Sequence, residues 1–522
     1  MKKSIPVFLL CFLLLSAYGQ KNLSYYDIAF TKYQIQNYTE ALEYIDRALF
    51  VKPNDVESYN LKGVIYYRLG RYREAIINFD KTLQLNPAYY KNFFFRGTSK
   101  MNLGDYKGAL EDFERQVALQ PGEAINYNNR ANAKGLLEDD AGASKDFTKA
   151  IELKPDYANP YYGRALINYR LKKYNEALID QNKAIELNPK SDDFFIARAR
   201  VKFKLNDVKG ACDDIEEAKR LSATQLAFFA GKNCKDWLMA DDYFDLSKEK
   251  NKMGDGKAEI LLLNKAIQLM PRFAELYATK GKAEGMLEDY ENALKDYDKA
   301  ISLDSSSYLT FLHRGFTKGK LKDYKGAMAD YDKSVSLNPL EAESYYNRGV
   351  SRFYLNDLKN AIADFDICLG INPKITDAYL FKGYSEGALH LYDKAIDDFD
   401  MLLQLDPENF NGYASRGLCK LMKSNFEDAL KDLNKSISLD SSATNVAAYN
   451  YRGQAKASLG DHKGALVDLD FVLKTQPDNV DALHNRYAVK IELNDKAGAC
   501  ADYKRALKLG ELPDTEMNNY CK

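Results

Sequence analysis

Residues Tyr90–Glu123 read YKNFFFRGTSKMNLGDYKGALEDFERQVALQPGE, a stretch of 34 residues that sets the ruler for the chain. With Tyr90 as place 1, Phe93 stands at place 4, Gly97 at 8, Gly104 at 15, Tyr106 at 17, Ala109 at 20, Phe113 at 24 and Pro121 at 32. Large apolar and small residues recur three, four and seven apart in two blocks, the period of two amphipathic helices. Gly97 and Ala109 carry little side chain, so the helices can approach closely where they meet. Gly104-Asp105 marks the turn. Pro121 ends the second helix, because the residue before a proline is pushed out of the helical region. The spacing predicts a first helix over places 2–15 and a second over places 18–31.

The unit recurs, the signature of a repeat architecture. Place 8 is Ala29, Gly63, Gly97, Ala131, Ala165 and Ala199, then, after an interruption, Ser247, Gly281, Gly315, Gly349, Gly383, Gly417, Gly453 and Tyr487. Place 20 is alanine in every unit but the seventh, which has Glu259. Fourteen units result, six and then eight. At these residues the chain resembles the tetratricopeptide repeat family, whose aromatic-x2-L-G-x2-Y…A-x3-F…A…P pattern it follows, with Arg or Lys usually replacing Leu at place 7. The resemblance covers nearly all of residues 22–513. It implies an all-α fold, an α-α superhelix (a solenoid) of about fourteen helix-turn-helix units in two arrays.

Length alone, 522 residues, would suggest several globular domains. A solenoid instead grows by adding units. Formal net charge is −1, from 74 basic and 75 acidic residues, so no global field draws nucleic acid or anionic lipid. Lys2 and Lys3 precede an apolar run, Ile5 to Leu15, followed by Ser16-Ala17-Tyr18-Gly19-Gln20. This is the pattern of a secretory signal peptide over 1–19, with Ala17 and Gly19 at the −3 and −1 places. The run is short for a membrane span, which needs roughly 20 residues. Contact with a membrane is expected only through this segment, if it stays uncleaved.

Two arrays are expected, 20–239 with six units plus a cap helix and 240–522 with eight units plus a C-terminal cap. Prolines close the first five units, but Ala223 stands where the sixth should have one, and Ala223–Ala240 reads as an extra helix. Two extra residues fall near Thr444-Asn445. Place 7 is basic and place 23 is aspartate together in eleven units, from Arg96/Asp112 to Arg486/Asp502. The first unit of each array lacks both, having Ile28/Tyr44 and Leu246/Leu262. Two places that gain and lose charge together are expected to touch, one on each helix. A surface that uses these arginines to hold anions is the weaker reading, since each arginine already has an acid.

Cys212 and Cys500 both occupy place 21 of the last unit of an array, in the contexts Lys-Gly-Ala-Cys and Ala-Gly-Ala-Cys. Each is followed by a second cysteine, Cys234 or Cys521. A terminal unit exposes an apolar face that a cap must cover. Disulfides Cys212–Cys234 and Cys500–Cys521 would pin the two caps, each worth on the order of 3 kcal/mol through loop entropy. Together with the signal peptide they point to an oxidising compartment. Cys368 and Cys419 read as buried small apolar residues.

Enzymatic motifs are missing: there is no P-loop, GxGxxG after a strand, HExxH, CxxC or G-x-S-x-G. His313, His390, His462 and His484 lie in four different units and read as surface or turn residues. No catalysis, metal, cofactor or small-molecule substrate is therefore expected. The resemblance implies that first helices line a concave face, with places 2, 5, 9 and 12 inward. Those places hold Tyr26, Phe30, Asn60, Tyr67, Phe94, Asn128, Asn132, Tyr162, Tyr169 and Phe203 in the first array. In the second they hold Phe244, Phe316, Tyr346, Phe353, Tyr384, Asn450 and Gln454. Rings interleaved with amides suit an extended peptide, although the same rings could pack between units. The family's carboxylate clamp for chaperone tails is disfavoured, because Tyr26 and Phe30 replace its Lys and Asn and unit 4 has Asn128 and Asn132 without a Lys. The reading is an exported, non-catalytic scaffold, periplasmic or extracellular and outer-membrane-associated, gripping protein or peptide segments of the envelope. Its rivals are a module that binds glycan or peptidoglycan through exposed tyrosines, and an architectural subunit of a secretion or surface assembly.

Overall fold

The computed structural model describes residues 24–89, 91–221 and 233–522. The expected signal peptide, and residues 223–232 of the expected cap helix, lie outside them. Twenty-nine α-helices and no strand occur among the described residues. They follow one another in pairs, as in Ala124–Leu136 with Asp140–Leu153 and Ala342–Tyr354 with Leu358–Ile371. The chain divides into two compact parts, with the boundary between Leu238 and Met239.

Helices occupy places 1–13 and 17–30, one or two residues earlier than the spacing predicts. The cause is place 15, which takes a left-handed backbone: Gly104 at φ 77°, and also Glu138 at 64°, Lys322 at 62° and Asn356 at 61°. A left-handed residue stops an α-helix. The aspartate that follows caps the next helix: Asp105 Oδ1 accepts from the Gly108 amide at 2.9 Å, and Asp323 and Asp461 do the same with Gly326 and Gly464.

In the units with glycine at place 8, the place-24 side chain lies over it. A Cβ on Gly63 would meet the Phe79 ring at 2.5 Å, and one on Gly97 would meet Phe113 at 2.7 Å, so only glycine admits these rings. Place-20 alanines such as Ala75, Ala109, Ala361 and Ala429 are fully buried. Glu259 is buried in the seventh unit as well, accepting from Asn251 Nδ2 at 2.9 Å.

The charged ladder is formed in all eleven units. Arg348 is typical: Nε and Nη2 grip the buried Asp364 at 3.0 and 2.6 Å, and Nη1 reaches Asp332 of the preceding unit at 2.7 Å. Its guanidinium also lies 5.3 Å from the centre of the place-4 ring, Tyr345. The reach back to place 25 recurs at Arg96–Asp80, Arg314–Asp298, Arg416–Asp400 and Arg486–Asp470, so each arginine ties two units together. A second cation at place 11 shares the same aspartate, as Lys134 does Asp146 and Lys420 does Asp432. In unit 2 Lys62 has no place-23 acid and pairs with Asp46 of unit 1 instead.

Where a cap helix ending near 240 and a separate first helix are expected, one continuous helix runs from Cys234 to Lys252. No glycine, proline or left-handed residue interrupts it. Trp237, Leu238, Phe244 and Ser247 on it are buried. The two extra residues near 444 form a short 3₁₀ turn, Ala443–Asn445, in which Asn445 Nδ2 donates to Ser436 Oγ and to the Asp440 carbonyl. Cys212–Cys234 and Cys500–Cys521 are disulfide-bonded, with Cα atoms 5.6 and 5.5 Å apart. Cys368 and Cys419 are buried in apolar clusters.

Candidate binding surface on the first helices

Within each part, first helices of consecutive units touch one another directly, as Ala124–Leu136 does Ala158–Arg170 and Phe410–Met422 does Val446–Ser458. Each second helix packs mainly on its own first helix and on the first helix that follows. First helices therefore form a closely spaced layer of the stack.

The structure places most of the expected rings half-buried on this layer, packed on one another. Tyr26 stacks on Phe30 at 6.3 Å, Tyr67 meets Phe95 of the next unit at 5.4 Å, and Phe94 meets Phe95 at 5.1 Å. Tyr162 stacks on Phe194 at 4.7 Å, and Tyr169 lies 5.6 Å from Tyr174 across its own turn. Tyr346, Phe353 and Tyr384 gather round Phe381 at 6.3, 5.6 and 5.8 Å. Burial raises the phenol pKa of Tyr26, Tyr67, Tyr162, Tyr346 and Tyr384. All five stay neutral across the physiological range.

The remaining expected residues divide by exposure. Phe30 and Phe316 are open, 40% and 46% exposed, and the Lys320 ammonium lies 5.0 Å from the Phe316 ring centre. Asn132 is exposed, and Asn60, Phe203 and Gln454 are half-buried. Asn128 is buried, and its Oδ1 has no hydrogen-bond donor. Asn450 is buried and accepts from Asn485 Nδ2 at 3.0 Å. Phe244 is buried under the Lys248 ammonium, 3.8 Å from its ring centre.

Sequence reasoning overlooked the place-6 rings Phe95 and Phe381, which fill the gap between neighbouring first helices. Their signal was a second aromatic directly after, or one turn before, an expected inward one. It also overlooked the exposed Met286, Leu309 and Tyr354 on the same helices.

His313 is not the surface residue expected: burial first, and then Lys282, push its imidazole down to about 4. His390 and His484 are exposed and bonded to Tyr392 and Glu511. Among the described residues no group of three His, Cys, Asp or Glu is arranged to hold a metal ion, and no helix is long and apolar enough to cross a membrane. An open cleft of about 870 Å³ between units 4 and 5 is lined by Arg130, Lys149 and Lys173, but Arg130 and Lys149 are already paired with Asp146 and Glu152.

Sequence models described as tetratricopeptide repeat match residues 56–89, and 124–157, 158–191, 274–307, 310–339 and 342–375. No curated protein sequence matches the chain. Among solved structures it is similar to a tetratricopeptide repeat protein from Parabacteroides merdae, at 20% identity over 48% of this chain and 98% of that one, TM-score 0.38. It is similar to YrrB, titled a TPR protein with an unusual peptide-binding site, at 24% identity over 35% and 94%, TM-score 0.33. A third is the Cut9–Hcn1 hetero-tetramer of APC/C, at 14% identity over 89% and 95%, TM-score 0.40.

Proposed function

Since the chain belongs to the tetratricopeptide repeat family, we propose that it is a non-catalytic scaffold of the cell envelope that holds extended protein segments along the inner layer of its first helices. The observation that carries this is the pair of open rings, Phe30 and Phe316, standing on that layer beside half-buried aromatic and amide side chains. A peptide laid there meets apolar faces for its side chains and amides for its backbone. The two disulfides support export, because such bridges persist in oxidising compartments.

The packed rings alter the choice of test. Removing Tyr162 would break its close stack on the buried Phe194, whereas the open Phe30 gives up looser ring contacts with Tyr26 and Tyr33 at 6.3 Å and the open Phe316 its contact with the Lys320 ammonium, so cutting these two back costs the fold less. In-cell crosslinking of the full chain, followed by mass spectrometry, should identify a small stoichiometric set of envelope proteins. Phe30→Ala and Phe316→Ala should each weaken binding of the crosslinked segment about tenfold, with an unchanged melting temperature. Absence of a reproducible protein partner, or variants that bind as the parent does, would remove this reading. Sedimentation with insoluble peptidoglycan would then be the next measurement.

A further inference from the structure

Two units build the ladder from a different set of charges, and in the same way. Unit 8 carries Lys280, Glu284 and Asp296 at places 7, 11 and 23, and unit 11 carries Lys382, Glu386 and Asp398. The other laddered units of the second array pair Arg at place 7 with Lys or Arg at place 11: Arg314/Lys318, Arg348/Arg352, Arg416/Lys420, Arg452/Lys456 and Arg486/Lys490. Two cations round one carboxylate have become one cation beside two carboxyl groups.

The geometry leaves those carboxyls short of donors. Lys280 Nζ lies 2.7 Å from Asp296 and 3.2 Å from Glu284 Oε1. Lys382 Nζ lies closer to Asp366 of the preceding unit, at 2.9 Å, than to Asp398, at 3.2 Å. Glu284 Oε2, Glu386 Oε2 and Asp398 Oδ2 are all buried without a hydrogen-bond donor. Glu284 and Glu386 are only 5% and 3% exposed. A buried carboxylate without a donor is costly. A single proton on the glutamate removes the cost, because it turns two facing acceptors into a donor and an acceptor.

We propose that units 8 and 11 are proton-held joints: Glu284 and Glu386 are carboxylic acids in the folded protein, each donating a hydrogen bond to the place-23 aspartate, and their ionisation loosens these two units.

The surrounding groups agree. Glu284 faces Lys280 on its own helix and Asp296 and Tyr297 on the second helix of its unit. Tyr297 in turn touches His313 of the next unit, whose imidazole is neutral throughout the relevant range. Glu386 faces Lys382 on its own helix, Asp398 and Lys394 on the second helix, and Cys419 on the following first helix. Burial, and then Asp398, push Glu386 up to about 8; burial, and then Asp296, push Glu284 up to about 7. A folded value above the ordinary 4.5 means that the folded state holds the proton longer than the unfolded chain does. The stabilisation is complete below 4.5, declines as pH rises, and is gone above about 7 in unit 8 and about 8 in unit 11.

Hydrogen exchange of the full chain, read by mass spectrometry at about pH 6 and about pH 9 and corrected for intrinsic exchange, tests this. Relative to peptides from Tyr308–Leu337, peptides from Ala274–Leu303 should lose roughly tenfold more protection at the higher pH and peptides from Thr376–Leu405 on the order of a hundredfold more. Glu284→Gln and Glu386→Gln should each abolish the difference in their own unit. Lys280→Arg with Glu284→Lys, and Lys382→Arg with Glu386→Lys, restore the set used by the neighbouring units and should do the same. Equal loss of protection across units 8 to 12, or a pH response that survives both kinds of variant, would overturn the proposal.

Discussion

A ladder arginine has two very different partners, and the difference decides what its loss costs. Asp364 is 1% exposed and takes both arms of the Arg348 fork, while Asp332 on the preceding unit is largely in water. Arg348→Ala leaves Asp364 buried with Arg352 alone, and is expected to cost about 2–4 kcal/mol in urea unfolding. Arg348→Lys keeps the charge but loses the fork, and should cost about 1–2 kcal/mol. Asp332→Ala should stay within about 1 kcal/mol. Equal effects of Arg348→Ala and Asp332→Ala would show that the buried acid is not what the arginine secures. Places 7 and 23 could be read from sequence because they change together. Places 11 and 25 are periodic as well, but a lone charge on a helix reads as a solvated face until its partner is seen, on the other helix of the unit for place 11 and on the next unit for place 25.

At the scale of elements, helix number and pairing were legible because a 34-residue period survives many substitutions. Helix ends were less so. Place 15 terminates the first helix by its backbone, and residues as unlike as Gly104, Glu138 and Lys322 all do it. Composition could not reveal that. The repeat register restarts near 240 and so divides the run from Cys234 to Lys252 in the sequence, whereas the backbone meets no breaker there. The C-terminal cap shows what a short element needs. Thr515–Tyr520 is six residues long, too short to persist alone. It is held by Met517 against Tyr487 and Tyr503, by Tyr503 Oη accepting from the Asp514 amide at 2.8 Å, and by Cys500–Cys521. A Cys500→Ser/Cys521→Ser variant should lose up to about 3 kcal/mol. Its amides in Lys496–Lys508 should exchange faster. Unchanged exchange there would mean that the apolar contacts suffice and the bridge is redundant.

For the whole molecule the decisive fact is that packing is between neighbours. A helix touches its partner in the unit and the helices of the adjoining units, so stability is a sum of unit and interface terms. Damage should therefore stay local. In the Arg348→Ala variant, exchange should quicken in Leu358–Ile371, which loses its own clamp, and in Tyr324–Leu337, which loses the tie at Asp332. Helices three units on, Val446–Ser458 and His462–Thr475, should keep their protection, since nothing that Arg348 touches reaches them. A uniform rise in exchange across residues 239–522 would contradict this and would mean that the eight units unfold as one body. The local outcome has a further consequence for the surface of first helices. Each stretch of it would be ordered or loosened by its own two or three units, so a bound segment could be released at one end while it is still held at the other.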